Sequence, residues 1–261
     1  MAYLEINGVQ IYYEFYGQGE TVCLLHHGFG ASKMWQEIYP AIIEAGFQVL
    51  MYDRRGYGMS EEGPDFVSYY RSQDFRKICI DELEKLRQHL DLGSLHLVGQ
   101  CEGGVVASDF AAAYTQYVKT LVTSSTQCYS PMTMKELNAL KFPKLFSELD
   151  IELQKKLIKF HGPDRAEFRY DLHRSFGGSY GAGYFDLSSV LRSIPQPALV
   201  IFPDRSFIFD VEQGVAFYRC LEKGQLTVLP GCGHNTYENQ PQEYLKSLFN
   251  FWEKYEKTKP G

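Results

Sequence analysis

The chain has 261 residues, and its 26 lysines and arginines against 32 aspartates and glutamates give a net charge of −6 that is spread along the sequence. That length is enough to bury a large core, and the dispersed charge excludes nucleic acid and a membrane surface as expected partners. The longest apolar stretches, such as "PALVIF", fall far short of the ~20 residues of a membrane span. The start "MAYLEINGVQIYYEF" lacks the basic head and apolar centre of a signal peptide, so a soluble, cytoplasmic protein is expected.

In chain order, "YLEI" and "VQIYYEFYG" read as two strands joined at Asn7-Gly8, a strong tight-turn dipeptide. Buried strands follow at "TVCLLHH", "FQVLMYD", "LHLVGQ", "VKTLVTS", "PALVIFP" and "QLTVLPG". Helical patterns lie between most of them: "MWQEIYPAIIEA", "FRKICIDELEKLRQHL", "EGGVVASDFAAAY", "VEQGVAFYRCL" and, at the end, "QEYLKSLFNFWEKY". This alternation predicts one α/β domain, an eight-stranded and mostly parallel sheet with helices on both faces. Ligands then belong at the carboxyl ends of the strands.

The alternation breaks once, between Ser125 and Pro197, over an interval too long for a bare connection. It reads as several short helices and a glycine-aromatic loop, a helical cap inserted after the sixth strand. The expected division is a core over 1–126, the cap over 127–190 and the rest of the core over 191–261. Within the cap, "FGGSYGAGYF" is fed by no strand and followed by no Lys-Ser/Thr, so it is expected to be a mobile, aromatic-lined lid segment and not a phosphate cradle. The tail "KTKPG" is expected to fray. The six cysteines (Cys23, Cys79, Cys101, Cys128, Cys220, Cys232) read as reduced thiols, most of them in apolar runs. His26 and His27 are adjacent, not spaced i and i+4, and no CxxC or His-x-Glu pattern suggests a metal site.

A strand, then Gly99-Gln100-Cys101-Glu102-Gly103, then a helix is the pattern of a nucleophile elbow, whose sharp turn lifts Cys101 above the sheet. "HGFG", His27 to Gly30, follows the strand "TVCLL" and offers the Phe29 N–H, with that of Glu102, as donors to an oxyanion. His234, in "GCGHNTYENQP" after the last strand, sits above the same sheet edge as a candidate base.

With these motifs assembled, nearly the whole chain resembles the α/β-hydrolase superfamily, in its capped esterase and lactonase branch. "DRRGYGMS" (Asp53 to Ser60) fits as the turn after the next strand, which the resemblance marks as structural, so Asp53 and Arg54 receive no chemistry. The elbow G-x-C-x-G-G is similar to that of dienelactone hydrolases and polyester synthases. Relatives carry G-x-x-D after the strand matching "PALVIF", and laying "PDRS" on that pattern without a gap puts Ser206 at the acid position. Asp204 stands two residues early and could serve only if the loop is shorter than usual; it is favoured over Ser206 because a charged partner stabilises imidazolium more than a hydroxyl does. Asp210 reads as a helix N-cap with the spacing of a capping box to Gln213. The alternative acid position after "VKTLVTSS" offers only Ser124, Ser125 and Thr126.

A thiol ionises more readily than a serine hydroxyl, all the more at a helix start beside imidazole, so cysteine tolerates a missing acid. The expected chemistry is hydrolysis of a small-molecule ester, lactone or thioester through a Cys101–His234 dyad and a thioester acyl-enzyme, with no metal or cofactor. An aromatic content of 15%, much of it in the insertion, points to an apolar or aromatic acyl group. Glu102 is read either as pointing outward or bonding to backbone in the cap, or as receiving a substrate ammonium, as in similar amino-acid-ester hydrolases. An acyltransferase using the same intermediate, and a ligand sensor built on the hydrolase fold, are the rival readings. Oligomeric state is open.

Overall fold

The structure, a computed structural model, describes residues 2–257. It opens with an antiparallel hairpin of β1 (Ala2–Ile6) and β2 (Val9–Tyr16), turned by Asn7 and Gly8 with φ of 55° and 73°. The other strands are β3 (Thr21–Leu25), β4 (Gln48–Tyr52), β5 (Leu95–Gln100), β6 (Val118–Ser124), β7 (Ala198–Pro203) and β8 (Gly224–Leu229). All eight form one sheet of order β1-β2-β4-β3-β5-β6-β7-β8. Neighbours from β4 to β8 are parallel, and only β2 runs antiparallel to both of its neighbours.

The helices are α1 (Tyr39–Glu44), α2 (Phe66–Tyr70), α3 (Phe75–His89), α4 (Glu102–Ala113), α5 (Met134–Lys141), α6 (Ile151–His161), α7 (Ala166–Phe176), α8 (Ser188–Arg192), α9 (Val211–Cys220), α10 (Thr236–Asn239) and α11 (Pro241–Lys257). They sandwich the sheet. Along β3, Cys23 and Leu25 pack into one apolar layer with α3, α4 and α9, while Val22 and Leu24 pack into the other with α1 and α11. Every residue of β3, β5 and β7 is buried, as strands covered on both faces must be.

The expected helix over "MWQEIYPAIIEA" is broken into a short 3-10 turn, Ser32–Trp35, and α1. Pro40 lies in the first turn of α1, where its missing N–H costs nothing; a proline starts a helix there instead of continuing one. Helices α2 and α10 are too short for a period to show in the sequence. Asp210 stands at the N-cap of α9, but no capping box closes, because the Gln213 side chain accepts the Cys128 and Tyr129 N–H groups at 3.0 and 3.1 Å. The interval between β6 and β7 holds α5 to α8. Of the tail expected to fray, Lys257 closes α11, and residues 258–261 lie outside the described residues. Among the described residues no helix is long and apolar enough to cross a membrane, and the six cysteines are free thiols.

Candidate active site

Cys101 joins β5 to α4 with φ 52° and ψ −115°, a left-handed conformation that a non-glycine residue adopts at a cost. The surrounding turn enforces it. The Cys101 N–H donates to the Ser124 carbonyl at 2.7 Å, and the Thr126 hydroxyl donates to the Cys101 carbonyl at 3.1 Å. A Cβ on Gly103 would stand 2.2 Å from the Leu25 carbonyl oxygen, so the first turn of α4 packs on β3 only without a side chain there. The result is a half-buried sulfur at the start of a helix, reached by the Glu102 N–H and 3.8 Å from the Tyr180 hydroxyl.

His234 is fastened to the elbow through its backbone. Its carbonyl accepts the Gln100 side-chain amide at 2.8 Å and the Ser125 hydroxyl at 2.7 Å, so the ends of β5 and β6 hold the loop of the candidate base. Ser124, Ser125 and Thr126, the alternative acid positions, are thereby used on Thr236, on the His234 carbonyl and on the Cys101 carbonyl. The imidazole lies near the Phe207 and Phe209 rings, with Nδ1 3.0 Å from the Ser206 hydroxyl.

The favoured orienting acid, Asp204, is elsewhere: its carboxylate accepts the Cys232 N–H at 3.2 Å. The reason is reach. β7 stays paired to β8 through Pro203 opposite Leu229, so Asp204 still lies in the seam between those strands, and only two residues later does the chain rise to the imidazole. Ser206 fills that place with a restriction. Its oxygen already accepts the Ile208 and Phe209 N–H groups at 3.3 and 3.2 Å, which leaves its O–H to donate to Nδ1. The hydrogen of neutral His234 then resides on Nε2.

The expected low-pKa thiol is also not what the site provides. Burial pushes the Cys101 thiol up to about 12, against the lowering effect of the Tyr180 hydroxyl. Burial likewise brings His234 down to about 4. Both groups rest neutral near pH 7, because an ion pair would have to be made in a pocket that solvates charge poorly.

Cys101, His234, Phe29 and Tyr180 face a common cavity of about 440 Å³, walled mainly by aromatic and aliphatic side chains of the insertion and of the 207–209 segment. Residues 21–155 match the family of the alpha/beta hydrolase fold. The chain belongs to that family. Proline iminopeptidase of Clostridioides difficile (strain 630) is 34% identical over 139 residues, which are 51% of this chain and 46% of that protein. The corresponding enzyme of Lactobacillus helveticus is 30% identical over 163 residues, 60% of this chain and 54% of that protein. The chain thus spans about half the length of the curated relatives it matches. The enol-lactonase from Burkholderia xenovorans LB400 superposes with a TM-score of 0.75 at 17% identity, over 97% of this chain and 100% of that one. A thermophilic esterase from Thermogutta terrifontis gives 0.74 at 22% identity, over 97% of each chain. At these identities the likeness is one of fold.

In this α/β hydrolase, the two expected oxyanion donors differ. The Glu102 N–H points at the Cys101 sulfur, whereas the Phe29 N–H folds back onto Nδ1 of His27 at 3.2 Å. Two histidines of the insertion, which carry no sequence signal because their partners lie about a hundred residues away, hold the same loop. His161 accepts the Gly58 N–H at 3.1 Å on Nδ1, and its Nε2 donates to the Phe29 carbonyl at 3.1 Å. His173 stands edge-on to the Phe29 ring at 4.3 Å, with Nδ1 2.6 Å from the Tyr70 hydroxyl. Burial lowers His161 to about 3 and His173 to about 4, so both are neutral supports.

The Glu102 carboxylate turns inward. It pairs with the fully buried Arg54 guanidinium at 2.5 Å, which gives both residues a buried structural role and leaves no carboxylate in the cavity. Burial alone would raise this carboxyl, but the Arg54 guanidinium holds it below the usual range. The centre of the segment expected to be mobile, Gly178–Tyr180, is a buried turn on that same carboxylate.

Proposed function

We propose that this protein hydrolyses an ester, lactone or thioester of a small, largely apolar acyl group, with Cys101 as nucleophile, His234 as base and residues 127–190 as a cap over the site. The observation that carries this reading is a strained elbow cysteine opening, together with the base-loop histidine, into an apolar cavity. In the proposed route His234 takes the Cys101 proton, sulfur attacks the acyl carbon, and the imidazolium returns the proton to the leaving group. Water resolves the thioester, helped by the same histidine. The Glu102 N–H meets the oxyanion, and the Phe29 N–H joins it by releasing His27.

The iminopeptidase relatives raise the alternative of an amide beside a free amino terminus. A substrate ammonium calls for a carboxylate, yet the cavity lining holds Lys141, Lys144 and Lys156 and no acidic side chain. This favours acyl over aminoacyl substrates. Because the resting His234 has its hydrogen on Nε2, turnover runs through the minority tautomer and is slow. That feature supports a second reading, a ligand-responsive hydrolase with modest turnover.

The test is a kinetic panel of activated esters, lactones and thioesters beside proline amides and anilides. Ester or thioester turnover that Cys101→Ala abolishes is expected. Preferential cleavage of prolyl amides, or full activity in Cys101→Ala, contradicts the proposal.

A further inference from the structure

Tyr180 belongs to the insertion, yet its hydroxyl is the side-chain group that meets the Cys101 sulfur, at 3.8 Å. The turn that carries it is built for that position. Gly178 has φ 54°, and a Cβ there would stand 2.5 Å from a Glu102 carboxylate oxygen, so the turn lies directly on that side chain. The Ser179 hydroxyl donates to the same carboxylate at 3.3 Å, and the Ser179 N–H bonds to it as well. Arg54, on the far side, fixes the carboxylate in turn. The residue after the nucleophile therefore anchors the turn that returns to the nucleophile.

The phenol is held as firmly at its ring. It packs edge-on against Phe185 at 4.7 Å and tilts on Phe209 at 5.8 Å. Its oxygen accepts the Gln127 N–H at 3.4 Å, just beyond the end of β6. An oxygen so engaged directs its own hydrogen elsewhere, and sulfur is the acceptor within reach.

Resting on Cys101 as nucleophile, we propose that Tyr180 is a catalytic residue, whose O–H donates to the Cys101 sulfur and stabilises the thiolate formed when His234 takes the S–H proton. The balance is simple: in the His234 tautomer that carries its hydrogen on Nδ1, the S–H bond breaks, its proton goes to the free Nε2 to give imidazolium, the electron pair stays on sulfur, and Tyr180 keeps its own hydrogen. Burial places the phenol well above its usual range, so it remains a donor across the working pH. The hydrogen bond supplies part of the stabilisation that an ion-paired imidazolium gives elsewhere.

The test is the pH dependence of Cys101 alkylation by iodoacetamide, read by peptide mass, beside turnover in wild type, Tyr180→Phe and Cys101→Ala. Phe keeps the ring packing and removes the donor. Tyr180→Phe is expected to alkylate about tenfold more slowly below pH ~10, a shift of about one pKa unit, with kcat falling in parallel and KM little changed. Fluorotyrosine at position 180, a stronger donor of nearly the same size, should shift both in the opposite direction and separates donation from packing. Superimposable alkylation curves for wild type and Tyr180→Phe overturn the proposal. If Cys101→Ala still turns over, the nucleophile assignment falls; if it is inactive and alkylation ignores Tyr180→Phe, only the tyrosine's role falls.

Discussion

At position 206 a hydroxyl stands where a carboxylate would accept the Ile208, Phe209 and His234 N–H groups together. A serine oxygen accepts the first two and its O–H donates to an unprotonated Nδ1 of His234, which places the imidazole hydrogen on Nε2, the nitrogen that the proposed route needs as base. Ser206→Asp is therefore expected to raise kcat at least about tenfold, by setting the productive tautomer and stabilising imidazolium. An unchanged or lower kcat in a folded Ser206→Asp protein contradicts that assignment. The neutral pair also sets the pH profile. With Cys101 near 12 and His234 near 4, neither titrates from pH 6 to 9, so kcat/KM should be flat there and fall only as His234 protonates toward pH 4. An inflection near pH 8 would reveal a titrating thiol. That Cys101 and His234 face one cavity was legible because each sits in a local motif. The preference for Asp204 weighed charge above reach, and reach depends on how far β7 stays paired, which the residues around Asp204 do not disclose.

Among the elements, helix α6 and the residues after it grip the core. His161 bridges the Gly58 N–H and the Phe29 carbonyl, and Arg165 donates to the Ser60 carbonyl at 2.8 Å and to the Gly58 carbonyl. His161→Ala leaves a buried donor and a buried acceptor unpaired, at a cost of about 1–3 kcal/mol for such a group. It should lower the melting temperature and kcat together, while His161→Gln, with one acceptor and one donor on its amide, restores part of both. Wild-type stability and kcat in His161→Ala would show that the grip is idle. The strands and the longer helices were legible because their periods are local. The docking of α6, and the Tyr180 turn on Glu102, join residues tens of positions apart, where no period or motif records the contact.

For the whole molecule, burial keeps His26, His27, His161, His173 and His234 neutral, each with its folded pKa below the ordinary value of 6.5. Above pH 6.5 both states are neutral at these sites. Below it the unfolded chain binds protons that the native state refuses, so stability falls as pH drops from 6.5 toward 4. Glu82, raised by burial to about 8, acts in the opposite sense: the native state holds its proton, and stability falls as pH rises from 4.5 to 8. Asp53 and Asp109, raised by burial as well, act in the same sense as Glu82; the five histidines outweigh these three carboxyls as pH drops below 6.5, and Glu82 acts against stability above it. Thermal unfolding followed from pH 4 to 9 should show its highest melting temperature near pH 6.5; a melting temperature that stays constant from pH 7 to 4.5 contradicts the buried-histidine account.

The central claim, that Cys101 carries the acyl group, is tested most directly by intact-protein mass spectrometry during turnover of an activated ester. The expected result is a transient mass increase equal to one acyl group, mapped to Cys101, removed by hydroxylamine and absent in Cys101→Ala. Turnover with no covalent adduct, or an adduct mapped to another residue, contradicts it.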